Sequence, residues 1–101
     1  MNVHEHFRRL FGLRAAFRRT FLGPNGRPHA DAAVVLAELR RFCYGNRPTL
    51  KVGTRGLDVH ASIAAAARQE VWLRLQSVLN LDDQALAAME RRARDEEQVN
   101  G

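Results

Sequence analysis

Five arginines in one short stretch, Arg8, Arg9, Arg14, Arg18 and Arg19, are interleaved with Phe7, Phe11, Phe17 and Phe21. A guanidinium group presents a planar fork of donors that grips phosphate or carboxylate in pairs, and it stacks on aromatic rings. The chemistry within reach is anion binding, to a phosphate backbone or to an acidic protein surface. A second basic group, Arg47, Lys51 and Arg55, lies in the stretch 46–56. These eight cations are the candidates for contact with nucleic acid or an acidic partner. Phe7, Phe11, Trp72 and Met89 are the candidates for a protein interface, because aromatics and methionine serve interfaces as well as cores. The competing reading of the Arg/Phe stretch is a solvated basic face above phenylalanines that pack inward.

Nothing else in the chain assembles into reactive chemistry, and no catalytic residue is assigned. His4 and His6 are two positions apart, about 200° around a helix, whereas metal-binding pairs on helices favour a spacing of three or four. His29 and His60 fall in separate elements, and Cys43 is the only cysteine, so neither a metal site nor an internal disulfide is expected. Gly53-Thr54-Arg55-Gly56 lacks the Lys-Ser/Thr that completes a phosphate cradle. Asp82-Asp83 is accounted for by capping at a helix start. No nucleophile has a local base. The expectation is a binding protein, not an enzyme, with no cofactor.

Charge is unevenly distributed. Residues 1–56 carry eleven Arg/Lys against three Asp/Glu, while residues 57–101 carry five against eight. A chain with one basic and one acidic half suits docking between unlike surfaces. At 101 residues and 11.4 kDa there is room for one folded domain. It divides into an Arg/Phe-rich N-terminal helix (1–22), a helical core (23–80) and a charged C-terminal helix with a solvated, fraying end (81–101). No apolar run matches a signal peptide or a membrane span.

The elements that must hold the candidate residues are helical. Val3, Phe7, Leu10, Phe17 and Phe21 recur at helical spacing over residues 3–22, and Gly12 introduces a weak point or kink. Gly23-Pro24-Asn25-Gly26 is the clearest turn. A second helix runs from Pro28 or His29 to Tyr44, with Val35, Leu36, Leu39, Phe42 and Cys43 as its buried stripe and Gly45 at the C′ position. Residues 46–56 read as an irregular basic loop, of a length that often carries function. Asp58 caps a third helix whose seam is Ile63, Ala67, Val71, Leu75 and Val78. A fourth starts at Asp82, with Leu81 and Leu86 spaced as a hydrophobic staple and a stripe of Leu86, Met89 and Ala93. The fold class is all-α: a small bundle of three to four helices with one irregular basic loop.

Three segments carry a family resemblance: Phe21-Leu22-Gly23-Pro24-Asn25-Gly26-Arg27, Val35-Leu36-Ala37-Glu38-Leu39-Arg40-Arg41-Phe42-Cys43 and Glu70-Val71-Trp72-Leu73-Arg74-Leu75. Across residues 17–79 the chain resembles small structural or morphogenesis proteins of short-tailed bacteriophages. The first sixteen residues and the acidic tail lie outside it. The resemblance implies a multicopy virion protein, made in the host cytoplasm. It would sit at the portal or head–tail region or inside the head, bound to a portal or other virion protein, to packaged DNA, or to copies of itself. Its size is compatible with ejection alongside the genome. Two other classes stay open: a DNA-binding packaging (small terminase-like) or regulatory factor, and a phage-encoded inhibitor of a host protein.

Overall fold

Asn2 opens the first helix: its side-chain oxygen accepts a hydrogen bond from the Glu5 amide at 2.8 Å. In the computed structural model, which describes residues 2–100, α1 spans Val3–Phe21, α2 Ala30–Phe42, α3 Val59–Val78 and α4 Asp83–Asn100. The all-α reading is correct, with one addition. The stretch expected to be an irregular loop forms, together with Leu57 just beyond it, a two-stranded antiparallel hairpin, β1 (Val52–Gly53) and β2 (Gly56–Leu57). Glycine at position 56 takes a φ of 103°, which allows the tight reversal through Thr54 and Arg55. The hairpin is anchored to α3, because the Lys51 amide donates to Ser62 Oγ and the Asp58 amide to the Lys51 carbonyl, both at 2.8 Å.

The helix is not divided at Gly12; α1 runs through it without a break. Its last turns pack on the core. Phe17 and Phe21 lean on the core, and no residue of the helix is buried. The turn that follows folds back tightly. The Gly23 amide donates to the Arg27 carbonyl at 2.7 Å, and Leu22 bridges to Pro28. His29 then acts twice: Nδ1 accepts from the Ala32 amide at 3.3 Å as the N-cap of α2, while Nε2 lies 2.9 Å from the Thr20 carbonyl. One imidazole thereby ties the end of α1 to the start of α2.

The core is built by α2 and α4, which pack along each other. Ala33 and Leu36 of α2, with Cys43 at its C-terminal cap, share the core with Leu86, Met89 and Ala93 of α4, the stripe expected for that helix. Arg40 and Glu90 pair across the two helices at 3.0 Å. The buried face of α2 differs from the expected stripe. Leu36 and Cys43 are inside, but Val35, Leu39 and Phe42 are exposed and Ala32 and Ala33 are buried instead. The small alanines let α4 approach closely, so the face that packs is not the most hydrophobic one.

The same correction applies to α3. Its expected seam, Ile63–Ala67–Val71–Leu75–Val78, lies about a third of a turn away from the face that reaches the core, given 100° per residue. Ala65 and Trp72 face inward, with Leu79 just beyond the helix, while Ile63 and Val71 are exposed. Trp72 and Met89, both candidates for a protein interface, are buried inside the core and present no surface to a partner. Leu81 and Leu86 are both buried, as a staple requires. The α3–α4 connection turns through Asn80 at a φ of 54°, and Asp82 caps α4 by accepting from the Ala85 amide at 2.8 Å.

The end of α2 corrects the assignment of Gly45. Tyr44 takes the left-handed position, φ 56°, and the Gly45 amide closes the turn on the Arg40 carbonyl at 2.8 Å. The glycine is required for space. A Cβ at position 45 would lie 2.5 Å from Trp72 Cδ1 and 2.7 Å from Arg40 Cγ. Gly45→Ala is therefore expected to lower stability by about 1–3 kcal/mol through overpacking, read as a fall in the urea midpoint.

Candidate anion and partner surface

The basic residues singled out in the sequence occupy two separate places. The first is α1. Counting 100° per residue, Arg8, Arg9 and Arg19 point away from the side that carries Phe7 and Leu10. All three arginines are exposed. Arg18 is half-buried, and Arg14 joins the apolar side, where it lines a groove with Phe7, Leu10, Phe11 and Phe17. The inward-packing alternative for the phenylalanines holds only in part. Phe17 and Phe21 contact the core, but Phe7 is 54 % and Phe11 71 % exposed. Both remain available to another molecule, unlike Trp72 and Met89. Capping at Asn2 and the Glu5 carboxylate in the first turn favour the helix. A stripe of exposed phenylalanine flanked by arginine does not.

The second place is the loop after α2, where the fold assembles a cluster around Tyr44. The Arg47 guanidinium and the Lys51 ammonium each lie 4.2 Å from the centre of the Tyr44 ring. Arg68, from α3, stacks on the neighbouring Phe42 at 4.8 Å. Gln69 of α3 holds the loop in place by donating to the Tyr44 carbonyl at 2.8 Å. Arg47 is partly occupied, since it also donates to the Arg41 carbonyl at 2.7 Å. Arg55 is not part of this group; it stands in the turn of the hairpin. Sequence reasoning found Arg47 and Lys51 but missed Tyr44 and Arg68. Tyr44 closes a helix and Arg68 lies on an alanine-rich one, and only the return of the loop onto α3 brings them together.

The cluster has a measurable electrostatic signature. Hydrogen bonding with Lys51 holds the Tyr44 phenol below its ordinary value of 10.0, and the charges of Lys51, Arg47 and Arg68 add to the effect. A depressed folded-state value favours the phenolate in the native state. The resulting stabilisation is complete above the unfolded phenol's range and is lost as pH falls through the folded value. Tyr44 is the only tyrosine, so an ultraviolet titration reads it alone. Lys51→Met is expected to move its midpoint upward.

Among the described residues there is no group of three or more His, Cys, Asp or Glu side chains able to hold a metal ion. Cys43 is buried in the core. Among the described residues no helix is long and apolar enough to cross a membrane. What the arrangement can do chemically is bind anions on two basic surfaces and apolar groups along α1.

No curated protein and no solved structure matches this chain. A family model described as Bbp19-like phage protein matches residues 7–91. The match is wider than the segment on which the phage resemblance rested. It takes in the exposed phenylalanines and the arginines of α1, the hairpin and the packed part of α4. With most of its length, both basic surfaces included, aligned to that one model, the chain belongs to the Bbp19-like phage protein family.

Proposed function

We propose that this phage protein is a multicopy component of the virion that works by adhesion and catalyses no reaction. In this reading it sits at the portal or head–tail region or inside the head of a short-tailed particle, between an acidic ring protein and packaged DNA. The observation that carries the reading is α1. It stands off the core with no buried residue and offers Arg8, Arg9 and Arg19 on one side and Phe7 and Phe11 on another. A helix this exposed gains stability from a partner, because most helical stability in proteins comes from packing an amphipathic face. Mass spectrometry of purified particles before and after DNA release tests it. The protein should be present in many copies per particle, and its loss with the DNA would place it among the ejected proteins. Its absence from particles would refute the reading.

A packaging or regulatory factor is the second reading, favoured by the arginine row, which suits phosphate contacts without base readout. Among the described residues α2 and α3 are separated by residues 43–58, including the hairpin, so these helices do not form a compact helix–turn–helix.

A further inference from the structure

We propose that the groove between α1 and α3 is closed by α1 of a second copy of this chain. The groove has a volume of about 520 Å³. Phe7, Leu10, Phe11 and Phe17 form one wall and Val71, Leu75 and Val78 the other.

The amount of surface left open calls for a macromolecular cover. The chain exposes 7463 Å². A compact monomer of 11.4 kDa exposes about 5,800 Å². The excess, about 1,700 Å², is roughly twice what one partner contributes to a standard interface. The radius of gyration is 16.5 Å, against about 13 Å for a compact domain of this length. The molecule is a slab of 48 × 47 × 21 Å.

The shape of the site selects the occupant. A groove between two helices accepts the apolar face of a third, and α1 has such a face in Phe7, Leu10 and Phe11. That ridge and the α3 wall it would cover lie on the same side of the molecule, which is the condition for a self-complementary contact between identical subunits. Charge is compatible with the pairing. Arg8, Arg9 and Arg19 point away from the groove, and the two cations that line it, Arg14 and Arg74, can lay their stems on the partner with their heads in water. A nucleic acid would instead need cations along the floor, which is apolar. The inference goes beyond the virion reading, since it assigns a separate face of α1 and holds for the purified protein alone.

Size-exclusion chromatography with light scattering on the full chain, over a series of concentrations, tests it. The mass should be at least twice 11.4 kDa at high concentration and fall towards one chain on dilution. Phe7→Ser/Phe11→Ser should weaken association at least tenfold, and Val71→Glu on the opposite wall should do the same. All three positions are exposed, so Trp72 emission should stay native in both variants and show that the core is intact. A single-chain mass at every concentration would overturn the proposal, as would association unaffected by both variants. Binding of a single-stranded oligonucleotide by a persistently monomeric protein, lost in the same variants, would overturn it in favour of a nucleic-acid occupant. No particle component is present, so failure here is distinct from failure to find the protein in virions.

Discussion

Trp72→Ala is expected to remove about 3–5 kcal/mol of stability, the range for deleting a fully buried aromatic side chain. A domain of this size holds about 5–15 kcal/mol in total, so the variant would be largely unfolded at moderate urea. The indole is completely enclosed, and it touches more than its volume suggests. It lies over Gly45, and its Nε1–H donates to Gln76 Oε1 at 2.9 Å. Gln76 in turn donates from Nε2 to the Leu81 carbonyl at 3.2 Å, in the α3–α4 connection. Losing the ring would disturb the end of α2 and the entry to α4 together. A double-mutant cycle separates packing from hydrogen bonding. Gln76→Leu alone leaves the indole N–H and the Leu81 carbonyl without that partner, at about 1–3 kcal/mol. Combined with Trp72→Phe it should cost clearly less than the two single changes added together. Urea midpoints read all four proteins, and strict additivity would show that the Trp72–Gln76–Leu81 chain contributes nothing as a unit.

The second large effect concerns binding. Arg8→Ala/Arg9→Ala/Arg19→Ala should flatten the salt dependence of non-specific DNA binding by about three units of log–log slope. Each guanidinium withdrawn from a phosphate leaves roughly one counterion unreleased. These three are chosen because they are exposed on the side of α1 away from the groove, so their loss leaves packing unchanged. Arg55→Ala, a single exposed cation in the hairpin turn, should change the slope by about one at most. Filter binding of duplex DNA over a salt series gives the numbers. An unchanged slope in the triple variant would rule out phosphate as the ligand of this face and leave an acidic protein surface.

Helix positions were legible because they depend on local signals. The Gly23–Gly26 turn, the Asp58 and Asp82 caps and the Leu86/Met89/Ala93 stripe stand where propensity and periodicity put them. Which face of α2 and α3 would be buried was not legible. Both helices carry apolar residues over more than half their circumference, and the buried side is set by tertiary contacts, Ala33 and Leu36 in the core shared with α4 and Trp72 against Gly45. Periodicity favoured the larger side chains, Val35 and Leu39 on α2 and Ile63 and Val71 on α3, and these are the ones left outside. Gly45 was misread for a related reason. Glycine after a helix suggests positive φ, and nothing local announces an indole from a residue far along the chain. At the candidate site, the arginines of α1 were legible as a cluster because they share one helix. The Tyr44 group was not, since its members come from a helix end, a loop and a distant helix.

The attachment of α1 has one further consequence. The helix is rooted at its C-terminal end, through the Thr20–His29 contact and the packing of Phe17 and Phe21, while its opening turns bury no residue. Such a rod acts as a lever. A load applied near Phe7 would reach the core through Phe17, Phe21 and the hydrogen-bonded Gly23–Pro28 turn.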